Sequence, residues 1–261
     1  MMKAGSNLIA QKARDHDIDA YLAAVFAPPQ QRQDLWILQA FAGELARIPL
    51  LVHEPMLGEI RLQWWREALA ANFRGRAAAH PLSEKLADLM QRAKLPLRHL
   101  EGLIDAQSLA LEPGGIQDRE TINRYIAPDL LELSVTVLSP SRVRNENIAT
   151  LIASAGRALG VAGLVRRLPA YAAAGRIPLS TELLANAGAL AREGLDALSE
   201  ARARWRAMRG AALLPALLPL ALVAPVLQAA ARPNADLRRP VAQRPLYRQL
   251  RLLTAALSGR F

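Results

Sequence analysis

Several groups of side chains in this 261-residue chain have the types and spacing to do chemistry. Asp15 and Asp19 form a D-x-x-x-D, which on a helix turns two carboxylates to one side, as a divalent cation requires. They sit in an Asp-His-Asp-Ile-Asp cluster suited to a helix N-terminus, so the favoured reading is capping or surface charge. Glu101 and Asp105 also stand one turn apart and can share a face, either toward a polar cavity or in a solvated salt bridge. Glu44 reads as a residual oxygen ligand or, preferably, as the ion-pair partner of Arg47, Arg61 or Arg66, because an unpaired buried carboxylate is costly. Arg166, Arg167 and Arg176 suit bidentate capture of a phosphate or lipid head group, and equally a surface or interhelical role. Trp64 and Trp65 point about 100° apart on a helix. One should pack in the core, while the other lines a cavity or a membrane-facing groove.

The elements that must position these groups read as helices throughout, with no sustained period-two alternation. Leu38, Phe41, Leu45 and Ile48 make one apolar face, and Pro55 and Gly58 punctuate. A second helix runs from about Glu59 to Phe73, with Ile60 and Trp64 on one side. His80-Pro81 opens a helix that Pro96 ends, and Arg98 to Leu111 follows, stopped by Pro113-Gly114-Gly115. Thr121 to Leu138 is next, with Pro128 inside it. Asn147 to Leu168 forms a long helix whose Ala149, Ala153, Gly156, Gly160 and Gly163 allow close packing. Thr181 offers an N-cap-like start for a short helix. Leu190 to Arg209 carries a charged face, and a basic helix closes the chain after Pro240. No repeat or long linker divides it, so one all-α domain over 1–261 is expected.

Composition narrows the function. With 52% apolar residues the chain can bury a sizeable core, and the absence of cysteine excludes disulfides and thiolate-bound metals. The four histidines show no metal-ligand spacing. All but four of the 33 basic residues are arginine and the net charge is +10, which favours anionic partners unless it reflects coding bias. No zinc pattern, basic block or ribonucleoprotein motif accompanies it, so no nucleic-acid partner is expected. The N-terminal MMKAGSNLIAQKARDHD lacks a signal-peptide core, which predicts a cytoplasmic protein. Residues 211–231 are long enough to span a bilayer, but Pro215, Pro219 and Pro225 favour a broken, buried core helix instead.

Taken in succession, AYLAAVFAPPQQR (20–32), LQAFAGELARI (38–48), EPMLGEIRLQWWREAL (54–69), LIDAQSLAL (103–111), Tyr125 and ALGVAGLVRRLPAYAAAGRIPLS (158–180) resemble the squalene/phytoene synthase family. The resemblance covers most of the chain. It is most specific around Arg61, Trp64, Trp65 and Arg66, and next at Gly175-Arg176-Ile177-Pro178. It implies an isoprenoid-synthase-like helical bundle around a central cavity, and Asp105 falls on a family position. Catalytic members condense two prenyl diphosphates through Mg²⁺ held by two aspartate pairs on facing helices.

By this resemblance the first pair should fall near Ala46 and Leu50, and neither is acidic. The second should fall between Gly160 and Gly175, but no Asp or Glu occurs from Asn147 to Thr181, and Arg166 and Arg167 stand there. The motifs FxxELA (41–46), RLQWWRE (61–67), Ile104-Asp105-Ala106 and LVRRLP (164–169) look like the divergent branch that contains mitochondrial complex I assembly factors. That implies a non-catalytic, metal-free protein peripheral to the inner membrane, holding an isoprenoid or lipid and meeting a respiratory complex subunit. The alternatives are a prenyl-diphosphate transferase using Mg²⁺ on non-standard ligands, or a peripheral lipid-binding protein. Four or more carboxylates converging on the cavity would revive the transferase. A lining of arginine and apolar groups would not.

Overall fold

Alanine and leucine at helical spacing build helices here, and proline or glycine decides where each one stops. The computed structural model describes residues 2–76, 79–112, 114–141, 145–208, 211–241 and 244–261. In chain order the helices are α1 (Met2–His16), α2 (Ile18–Ala24), α3 (Pro29–Leu51), α4 (Pro55–Phe73), α5 (Pro81–Ala93), α6 (Leu97–Leu111) and α7 (Arg119–Tyr125). There follow α8 (Asp129–Leu138), α9 (Glu146–Ala173), α10 (Thr181–Ala185), α11 (Ala187–Met208), α12 (Leu214–Leu217), α13 (Val223–Ala230) and α14 (Pro245–Ser258). The one extended pairing among the described residues is a parallel bridge between Ile116 and Leu179. There the Ile116 N–H donates to the Pro178 carbonyl at 2.7 Å.

One apolar core runs from Ile9 in α1 to Ala230 in α13, and Leu38, Phe41, Leu45 and Ile48 of α3 lie within it as their spacing predicts. Helix α9 packs along α11, with Gly194 drawn so close to Val161 and Leu227 that a Cβ there would stand 2.9 Å from Leu227 Cδ1. Gly156 and Gly160 bring α9 onto the α7–α8 connection, where a Cβ would meet Pro128 Cβ at 2.3 Å and the Ile126 carbonyl at 2.6 Å. The rest of that small-residue series behaves otherwise. Ala149 and Ala153 face solvent, and Gly163 opens onto empty space.

Several expectations are corrected by the packing. On α4 the side bearing Ile60 and Trp64 faces solvent, while Gly58, Leu62, Trp65, Leu69 and Asn72 turn inward. Pro128 splits the 121–138 stretch into α7 and α8, because proline cannot donate to a preceding carbonyl. Ser180 caps α10, its Oγ accepting from the Leu183 N–H, and Thr181 is the first helical residue. The 211–231 stretch is buried and broken as expected, with 3-10 turns at Ala211–Leu213 and Leu218–Leu222 flanking α12. The helix long and apolar enough to cross a membrane is α9, and 61% of that apolar window is buried within the protein.

Candidate functional site

Helices α1, α2, α3, α6, α8, α9 and α14 contribute to the wall of a cavity of about 500 Å³. Its wall is mixed. Leu103, Ala106, Ile126, Leu131 and Leu159 supply apolar surface, and Arg14, Arg166, Arg167 and Arg248 supply positive charge. Gly163 lies in the same wall and adds width, since nothing stands within 4 Å of where its Cβ would be.

The arginines are not equivalent. Asp19, 2% exposed, is gripped by Arg248 at 2.6 Å and by Arg166 at 3.4 Å, which ties α2 to α9 and α14. Arg166 also donates to the Leu222 carbonyl. Burial and the nearby Asp17 raise the Asp19 pKa, and the two guanidiniums only partly offset this. Arg167 has no such clasp. Burial opposes its charge, but the phenols of Tyr125 and Tyr171 and the Asp17 carboxylate more than offset that, so it stays ionised. The Tyr125 and Tyr171 hydroxyls and Gln107 Oε1 are buried without a hydrogen-bond partner of normal geometry. Tyr125 and Gln107 both line the cavity. His16, also in the wall, has its pKa lowered to about 4 by burial and by Arg167, so it is neutral near pH 7.

Four carboxylates line the cavity: Asp15, Asp17, Asp19 and Asp129. That number reaches the count that would revive a transferase, but they do not converge. Asp17 Oδ1 accepts the Asp19 and Ala20 N–H groups at 2.9 and 3.0 Å as the α2 cap. Asp19 is held by its two arginines, Asp129 Oδ1 meets His99 Nδ1 at 2.7 Å, and Asp15 is exposed. Among the described residues no three His, Cys, Asp or Glu side chains gather where they could hold a metal ion. Ala46 is buried and Leu50 packs against the core, so α3 offers no oxygen ligand at either position. The donor set does not fit the Mg²⁺ ions that family catalysis requires.

The other residues singled out in the sequence fall outside this cavity. Glu44 pairs with Lys12 of α1 rather than with an arginine. Asp105 pairs with Arg66 at 3.0 Å on the α4–α6 surface, its side chain 56% exposed, so the polar-cavity role is excluded. Arg66 also reaches Ser108 and Glu59. Trp65 is buried, 5.2 Å edge-on to Phe41 and 5.4 Å from His80, while Trp64 and Arg61 are exposed. Arg176 donates to the His53 carbonyl at 2.8 Å and fastens the loop after α9 to the turn before α4. Of the expected set the structure places Arg166 and Arg167 in the cavity wall, and pairs Arg66 with Asp105 away from it. Capping was the right role for the acidic cluster, but Asp17 is the cap and Asp19 a buried anchor. The Arg167–Tyr171 spacing of four residues was the available signal for a polar face on α9.

These features define an all-α bundle with an arginine-bearing central cavity, the architecture of isoprenoid synthases. A dehydrosqualene synthase solved in complex with ligand superposes with a TM-score of 0.73 at 16% identity, over 98% of this chain and 96% of that one. Squalene synthase HpnC from Alicyclobacillus acidocaldarius superposes with a TM-score of 0.65 at 16% identity, over 98% and 94%. The squalene/phytoene synthase family model matches residues 13–251, and the chain belongs to that family. Complex I assembly factor 6 of Rattus norvegicus is 26% identical over 67% of this chain and 53% of its own. The bifunctional protein CrtB/UppS of Streptomyces coelicolor is 28% identical over 79% of this chain and 38% of its own. The chain spans about half the length of the curated assembly factors it matches.

Proposed function

We propose that this protein is a non-catalytic member of the family that holds an isoprenoid or lipid with an anionic or polar head, acts at a membrane surface, and serves assembly of a respiratory complex. The observation that carries the reading is Arg167. It occupies the stretch of α9 where the resemblance places the second metal-binding pair, and it faces the cavity beside the buried Tyr125 hydroxyl. A guanidinium with adjacent hydrogen-bonding groups binds an oxyanion directly, without a bridging cation. The apolar wall suits a hydrocarbon chain. The likeness to complex I assembly factor 6 supports the assembly role.

The test is a lipid extract of the purified protein analysed by mass spectrometry, beside incubation with farnesyl or geranylgeranyl diphosphate and Mg²⁺. The expected result is a co-purifying lipid that a Gly163→Phe variant loses, with no condensation product. A deletion strain with normal complex I would remove the assembly role.

The competing reading is a prenyl-diphosphate transferase with unusual ligands. Asp15, Asp17 and Asp129 in the cavity wall favour it. Turnover abolished by Asp17→Asn or Asp129→Asn would establish it over the first.

A further inference from the structure

Helix α14 is built inside out. Arg248 turns inward to Asp19, and Arg251 turns inward to donate to the Ala221 carbonyl at 3.2 Å. Leu252 and Ala255 pack beside them on Ala23, Leu218 and Leu222. The opposite face carries Leu246, Leu250, Leu253 and Leu257, exposed by 73, 60, 44 and 79%. At about 100° per residue these four leucines fall within an arc of roughly 60°, directly opposite the packed face. A surface helix normally has one apolar stripe and points it at the core. This helix has two.

The charge around the second stripe indicates what covers it. From Arg232 to Phe261 the chain holds seven arginines and a single acid, Asp236. Arg232, Arg238, Arg239, Arg244 and Arg260 are exposed. Leucines flanked by cations match an anionic lipid surface, where the chains enter the acyl boundary and the guanidiniums meet phosphates. The stripe covers a few hundred Å², short of the ~800 Å² each partner gives to a stable protein interface. The opposite, inward face of the same helix borders the cavity, because Arg248 belongs to the cavity wall. The exposed apolar side of α4 differs. Met56, Ile60 and Trp64 there are interspersed with Glu54, Glu59 and Glu67 as well as Arg61, so that side carries no cationic excess.

We infer that the outer face of α14 is the surface by which this protein lies on an anionic membrane, Leu246, Leu250, Leu253 and Leu257 entering the bilayer. The inference rests on the membrane reading above and assigns it to one helix. It is tested with the full chain and vesicles of phosphatidylglycerol and phosphatidylcholine, against phosphatidylcholine alone. Wild type should bind the anionic vesicles at least ~10-fold more tightly, a preference that 0.5 M salt removes. Leu250→Glu with Leu257→Glu should weaken binding at least ~100-fold while the melting temperature holds. Ile60→Glu on α4 should change binding less than about twofold.

If the Glu pair lowers the melting temperature, Leu246→Ser with Leu257→Ser replaces it. Wild type that binds no vesicle overturns both this inference and the membrane reading. Wild type that binds while the α14 variants bind equally well overturns only the α14 assignment. Light scattering adds one more outcome. A wild-type dimer that the variants convert to monomer would make a second copy of the chain the occupant, and would overturn the proposal.

Discussion

Helices α3 and α9 differ at the positions where the family resemblance places acids. On α3 those positions are apolar and belong to the core, Ala46 at 5% exposure and Leu50 packed against the main cluster. On α9 the stretch is occupied by Arg166 and Arg167, both in the cavity wall, with Tyr171 buried one turn on from Arg167. His16 links the two helices. Its Cβ leans on Gly43 of α3, leaving 2.7 Å for any Cβ there, while its ring feels the charge of Arg167.

The sharpest way to break this contrast is to restore the acids on each helix separately. Ala46→Asp with Leu50→Asp should destabilise the protein by about 3–5 kcal/mol, because α3 buries those positions and offers no cation there. Arg167→Asp, which stands in the cavity wall, should cost visibly less in urea unfolding. Equal losses would mean both walls are core.

His16 gives the next largest effect. Its pKa lies at about 4 in the folded chain and near 6.5 when unfolded. Between these values the unfolded chain binds the extra proton, so stability is intact above about pH 6.5 and is lost as pH falls toward 4. The expected loss is about 2–3 kcal/mol. It should vanish in His16→Gln, and Arg167→Met should raise the His16 pKa measured by NMR. An unmoved His16 would detach α1 from the α9 charge.

Gly163→Ala should stabilise by about 0.5–1 kcal/mol, since the glycine is helical and its Cβ would enter open space. Gly156→Ala, facing Pro128 at 2.3 Å, should destabilise instead. Calorimetry of the pair reads out which part of α9 is packed and which is open. The smallest effect belongs to the surface. Asp105→Ala breaks an exposed pair with Arg66, worth under about 1 kcal/mol. It should leave the co-purifying lipid unchanged.

Periodicity reached the helices well and the site poorly. The α3 apolar face, the α5 start at His80-Pro81 and the broken 211–231 stretch were all legible, because propensity and proline act locally. Asp105 and Glu44 misled, because a side chain's partner depends on which helix lands opposite. Asp105 met Arg66 at the surface, and Glu44 met Lys12 from α1, a helix with no role in the sequence argument. Asp19 was missed as a buried anchor because both its arginines come from distant parts of the chain.

The sequence by itself determined the all-α class, most of the helices from α3 onward and the family outline, since these rest on spacing within each segment. It also determined that α3 and the Asn147–Thr181 stretch have no acids where the family resemblance places metal pairs. Only the tertiary structure decided that Arg167 faces a cavity while Arg176 fastens a loop, and that the leucines of α14 point outward. Those outcomes follow from which helix faces lie against one another, a pairing over long sequence distances that local periodicity does not encode.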